Sequence, residues 1–180
     1  MNNTDTSDEV RDPDAGSQTF TRLKEQLDAQ AMKAFTAIET DDLSFVEIAS
    51  NAGLYEVRSG EIAMRRSGRD DIRRFAHKMV EDYAALAGRF GSLLGGLSER
   101  RPAAALNEIQ EAMIEDLQYV SQELFDERYL AQLEAAQDNT VALFAHYRDH
   151  GKNQALIDLV SRETDLLEKH REMLRELKES

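Results

Sequence analysis

The chain is 180 residues long, carries a formal net charge of −13, and contains 2 Pro, 9 Gly and neither Cys nor Trp. The missing cysteine excludes disulfides, thiolate metal sites and cysteine nucleophiles, and the acidic balance argues against nucleic acid as a partner held through its phosphates. Charged residues make up 32% of the chain and no apolar run reaches the length of a membrane span, so a helical protein with a charged surface and no membrane insertion is expected.

Residues 1–16 are polar and acidic, with little to bury and neither the basic nor the apolar region of a secretory signal. A disordered acidic tail and a cytoplasmic protein are the expectation. Residues 17–40 place Phe20, Leu23, Leu27, Ala34 and Ile38 on one side, which predicts an N-terminal amphipathic helix ahead of a bundle over 41–180. Asp41 or Asp42 offers an N-cap for the next helix, whose stripe reads Phe45, Ile48, Ala49, Ala52, Ser59, Ile62 and Ala63. Ser67-Gly68 breaks it, and so short a break predicts an antiparallel neighbour.

That neighbour, from Asp70 to about Leu94, presents Ile72, Phe75, Ala76, Met79, Leu86 and Phe90 on one face. Its second half also carries Ala84, Gly88, Gly91, Ser92 and Gly95, a stripe of small residues that predicts the close approach of another helix. Gly95 to Pro102 reads as the longest loop inside the bundle. A short helix from Ala104 to Tyr119 leads into a long one ending at His150, with Tyr129, Leu133, Val141 and Phe144 inward and Gly151 as its stop. The last helix, Asn153 to about Lys178, buries Leu156, Leu159, Val160, Leu167, Leu174 and Leu177. No segment alternates with the period of a strand, so the fold class is all-α. Charge is uneven: residues 58–78 hold seven basic side chains against three acidic, and 103–150 hold two against ten. Those are two solvated faces of opposite sign, or a basic end that meets an acidic surface on another copy or another protein.

One polar residue interrupts each of four apolar stripes: Glu56, Tyr83, Gln137 and His170, with Glu163 on the same helix as His170. Bundles that bind metal carry their ligands in this way, on facing helices. The Glu-x-x-His pair typical of such bundles occurs nowhere in the chain. Were a metal bound, Glu56, Glu163 and His170 would be its ligands, an oxygen-rich set with one imidazole suited to Mn, Fe or Zn. The preferred reading is a buried hydrogen-bond network of Glu56, Tyr83, Gln137, Glu163 and His170, with no cofactor, since buried polar groups usually satisfy one another. His146 and His150 stand one turn apart and read as exposed residues near a helix end.

Short blocks then line up with one family. Phe45-Val46, Gly53, Glu56-Val57 and Gly60, followed by Phe75-Ala76, Met79-Val80 and Asp82, look like its opening helices. Phe125-Asp126, Tyr129-Leu130, Val141-Ala142-Leu143-Phe144, and Leu167 with His170 look like its closing ones. In their order and spacing the chain resembles the domain of unknown function (DUF) 4142 family, a bacterial ferritin-like bundle, from about Asp42 to Leu177. The resemblance implies a ferritin-like up-and-down four-helix bundle, here with an added N-terminal helix and a short extra helix in the central connection. It also implies histidines where this chain has Tyr83 and Gln137; of three such positions only His170 keeps one. The expected function is therefore non-enzymatic, through protein partners or self-association, and the resemblance adds a stress-response setting. A degenerate metal-binding or redox-linked bundle using Glu56, Glu163 and His170 is the alternative.

Overall fold

The computed structural model describes residues 13–38, 41–94 and 104–180. Among them are six helices and no strand: α1 Pro13–Ile38, α2 Asp42–Arg66, α3 Asp70–Leu94, α4 Glu108–Tyr119, α5 Phe125–His150 and α6 Gln154–Glu179. The all-α class follows directly. α1 starts at Pro13, a turn before Ser17, because a proline at the first helical position gives up no hydrogen bond and already has a helical φ. Residues 13–16 therefore belong to the helix rather than to the tail, and residues 1–12 lie outside the described ones, as does the loop expected at Gly95 to Pro102.

Side chains set several helix ends. Asp41 caps α2 by accepting from the backbone N–H groups of Leu43 and Ser44 at 3.1 and 3.2 Å. Asn107 and Gln110 form a reciprocal capping box that starts α4 at Glu108, four residues after the expected Ala104. The C-terminal carbonyls of α4 are met from another helix. Arg66 donates to the carbonyls of Leu117, Gln118 and Val120 at 2.5, 3.0 and 2.7 Å, a cation at the negative end of the helix dipole. Gln122 returns a hydrogen bond to the Arg66 carbonyl at 2.6 Å.

α2, α3, α5 and α6 surround one apolar core, with Phe45, Met79, Phe90, Leu133, Phe144, Val160 and Leu167 among its members. α2 with α3 and α5 with α6 are the tightly packed pairs, joined by short turns. Phe45 stacks on Tyr147 and Tyr55 bonds Gln132, so α2 and α5 run in opposite directions. Arg89 meets Glu163 and Asp82 meets His170, so α3 and α6 do too. It follows that α3 and α5 point the same way. The strict alternation of an up-and-down bundle breaks there, because residues 95–124, with α4 among them, are long enough to cross the length of the molecule. α1 and α4 add a second layer over α2 and α5, around Leu23, Leu27, Tyr55, Met113 and Ala135.

At Gly88 the close approach expected on α3 is absent, and Gly95 lies outside the described residues. A Cβ added at Gly88 would meet nothing within 4 Å, because Ala84 and Gly88 face solvent, away from Met79, Tyr83, Leu86 and Phe90. The tight crossing is at Gly60 on α2, where a Cβ would stand 2.8 Å from Val80 Cγ2 and 3.2 Å from the Ala76 carbonyl oxygen. Among the described residues no helix is long and apolar enough to cross a membrane.

Candidate functional site

Glu56 from α2, Tyr83 from α3, Tyr129 and Gln137 from α5, and His170 from α6 are all buried in the core, and Glu56 lies near enough to act electrostatically on both Tyr83 and Tyr129. The Tyr83 and His170 rings lie 5.8 Å apart, and Tyr83 also packs against α2, its Cδ1 3.5 Å from where a Cβ of Gly53 would sit. The Gln137 amide donates only to the sulfur of Met79, at 3.6 Å. No direct hydrogen bond joins these side chains to one another. Both carboxylate oxygens of Glu56, the hydroxyls of Tyr83 and Tyr129, Gln137 Oε1 and His170 Nδ1 are buried without a hydrogen-bond partner.

Electrostatics follow from the burial. Removal from water pushes the Glu56 carboxyl well above the usual carboxylate range. Burial, reinforced by the charge on Glu56, raises the Tyr83 and Tyr129 phenols above theirs. The His170 imidazole is lowered by burial, against the opposing pull of Asp82. Its Nε2 stands 2.7 Å from Asp82 Oδ2, a carboxylate that also accepts from Lys78 at 2.7 Å. Burial tends to raise Asp82, but hydrogen bonds from Lys78 and His170 outweigh it and hold the carboxyl low.

Glu163 is placed differently. Arg89 grips it through two contacts, Nε to Oε1 at 2.7 Å and Nη2 to Oε2 at 2.8 Å. Of the five residues expected to form one network, Glu56, Tyr83, Gln137 and His170 share the layer while Glu163 turns to Arg89. Among the described residues no group of three or more His, Cys, Asp or Glu could hold a metal ion.

Sequence reading passed over Tyr129 and Asp82. Tyr129 looks like an ordinary apolar member of the α5 stripe, and its hydroxyl shows no partner in any pattern. Asp82 gave a signal, since it stands four residues after Lys78, but that spacing suggests a surface pair. A second polar chain was also missed: Tyr55 donates to Gln132 at 2.9 Å, Gln132 to Asp116 at 2.7 Å, and Arg128 to both Asp116 oxygens at 2.8 Å. His146 is not simply exposed either; it is half-buried and stacked between Phe35 at 4.7 Å and His150 at 4.4 Å.

Beside this layer, α1, α2, α4 and α5 enclose an open groove of about 440 Å³, walled by Leu27, Ala31, Ala52, Met113, Ala136 and Leu143. Gln30, Lys33 and Glu47 also line it, and three of its other polar neighbours are engaged within the chain. Asn51 accepts from the Ala105 N–H, Thr140 donates to the Ala136 carbonyl, and Asn139 donates to Asp28.

An all-helical fold with a polar layer in its core and an apolar groove at its side defines the class. The particular family is shown by comparison: the profile described as Domain of unknown function (DUF4142) matches residues 27–177, and the chain belongs to that family. The match begins within α1, fifteen residues before the expected Asp42. No curated protein and no solved structure matches the chain.

Proposed function

We propose that this protein works by binding rather than by catalysis, as a helical bundle that acts through protein contacts, and that the α1–α2–α4–α5 groove receives apolar side chains of its protein partner. The observation that carries this reading is the groove itself. It has the size of a binding site, and its wall joins Leu27, Ala31, Ala52, Met113, Ala136 and Leu143 to Gln30, Lys33 and Glu47, so an occupant with apolar side chains and polar groups at its margin fits it. A ferritin-like frame agrees with the helix order, since one long crossover between two antiparallel pairs is that fold's connectivity. The stress-response setting is part of the proposal and rests on the family resemblance.

Photocrosslinking in living cells tests this reading. A photoreactive residue at Ala52, in the groove, is expected to trap a protein adduct of discrete mass, while the same residue at Lys169 on the outer face of α6 does not. Equal labelling from both positions, or none from Ala52, rejects the groove as the contact surface.

A second reading, a metal- or redox-linked bundle, is favoured by one observation: the unpartnered donor atoms around Glu56 and His170.

A further inference from the structure

The polar layer has a one-sided hydrogen-bond inventory. Asp82 is a carboxylate, so the Nε2 facing it carries the proton and His170 Nδ1 presents a lone pair. With Glu56 Oε1 and Oε2 and Gln137 Oε1, four acceptor atoms stand buried and unpartnered, against two hydroxyls. Charge is one-sided too. The other buried carboxylate, Glu163, has Arg89 beside it, and the half-buried Asp116 has Arg128. The carboxyl of Glu56, the deepest of the three, makes no ion pair or hydrogen bond. Burial without a counter-charge favours the protonated form of this carboxyl, and a bound cation takes the place of that proton.

The orientation of His170 is informative on its own. A metal-binding imidazole characteristically gives its other N–H to a carboxylate, which fixes the tautomer and aims the lone pair. Asp82 does this for His170, and the lone pair it aims has no partner in the protein.

We propose that this layer is a site for a divalent transition-metal ion, held by the Glu56 carboxylate, His170 Nδ1 and the phenol oxygens of Tyr83 and Tyr129, with Gln137 Oε1 at its edge and Asp82 as positioning residue. The inference rests on the metal-linked reading and replaces its ligand set, since Glu163 belongs to Arg89. Only two of the donors are of the His, Cys, Asp or Glu types, and the tyrosine and glutamine oxygens supply the rest. Carboxylate and phenol oxygens with one imidazole suit Zn²⁺, Mn²⁺ or Fe²⁺.

The test titrates Zn²⁺, Mn²⁺ and, without air, Fe²⁺ into chelator-stripped, untagged full-length protein, followed by calorimetry and near-ultraviolet tyrosine difference absorbance. One equivalent of at least one metal is expected, with a tyrosine signal. Glu56→Gln and His170→Gln should each weaken it by about 100-fold or more, and Asp82→Asn by about 10- to 100-fold, while Glu163→Gln leaves it unchanged. Glu56→Gln keeps the side chain's shape and removes a group that can ionise to hold a cation, so it is the decisive variant even if His170→Gln fails to fold. No binding of any of the three metals to the parent protein overturns both the site and the metal-linked reading. Stoichiometric binding that survives Glu56→Gln but is lost in Glu163→Gln, or in His146→Ala, keeps a metal-linked protein and overturns this ligand set.

Discussion

Tyr129 lies in the main core and Tyr55 in the layer beneath α1 and α4, and the fate of their hydroxyls differs. Tyr55 is bonded to Gln132, the head of a chain that ends on Arg128 and Asp116. Tyr129 is equally buried, with its hydroxyl unpartnered. Removing a buried donor from a satisfied network leaves the acceptor stranded at a cost of ~1–3 kcal/mol, whereas removing an unsatisfied hydroxyl is nearly neutral. Tyr55→Phe should therefore lower the free energy of unfolding in urea by that amount. Tyr129→Phe in metal-stripped protein should change it by less than about 0.5 kcal/mol. A large loss at Tyr129 would show that its hydroxyl has a partner within the protein. By the same logic Glu56→Gln should raise the urea midpoint of metal-stripped protein, since an amide is cheaper to bury than a carboxylate without a counter-charge. A lower midpoint contradicts this account of Glu56.

At the scale of the helix, two glycines make opposite predictions. Both lie inside helices, where alanine is favoured over glycine by up to ~1 kcal/mol. At Gly88 the added methyl enters open space, so Gly88→Ala should stabilise. At Gly60 it runs into Val80 and the Ala76 backbone, and overpacking of about 1–3 kcal/mol should outweigh the propensity gain. Urea unfolding of the two variants checks the signs, and a stabilised Gly60→Ala would mean that α2 and α3 can separate there at little cost. Helix α4 offers a third test. Arg66 supplies donors to three of its last carbonyls, and Arg66→Ala should cost about 1–2 kcal/mol. Faster amide exchange should appear in α4 before it appears in α6. These residues also show how far sequence carries. The apolar period located all six helices, because burial on one face leaves a 3.6-residue signature. Asp41, Ser67-Gly68 and Gly151 marked boundaries because caps and stops are local in sequence. Which small residue lies at a helix crossing is not local; it depends on helix rotation, so Ala84 and Gly88 misled, and Gly60 stood out only as part of the resemblance and not as a crossing. The inward placement of Glu56, Tyr83, Gln137 and His170 was legible as a break in each stripe. Whether they touch depends on reach across the core, and the partnership of Glu163 with Arg89, seventy-four positions apart, left no sequence trace.

For the whole molecule, the question is what α1 and α4 add to a core that four helices already close. Their layer covers Tyr55, Met113 and Ala135, with Leu106 and Ile109 at its margin, and it forms the wall of the groove. α1 contributes Leu23, Leu27 and Ile38 to the buried set, while its Met32 faces outward, 67% exposed. Its apolar face is therefore packed on its own chain, and the groove beside it is what remains for a partner. Burying an aliphatic side chain of this size contributes ~1.5–3 kcal/mol, so three of them make α1 worth roughly 5 kcal/mol before the entropy of ordering the helix is set against it. That is a sizeable share of the ~5–15 kcal/mol typical of a whole domain. A chain lacking residues 1–40 should thus unfold at clearly lower urea concentration than the full chain. It should also associate as concentration rises, because the uncovered Tyr55–Met113 surface seeks another apolar face. Sedimentation velocity over a tenfold concentration range, beside urea unfolding, decides the matter. If the shortened chain stays monomeric and as stable as the full one, α1 is neither a structural cover nor a contact element, and the groove it borders loses its claim to a partner.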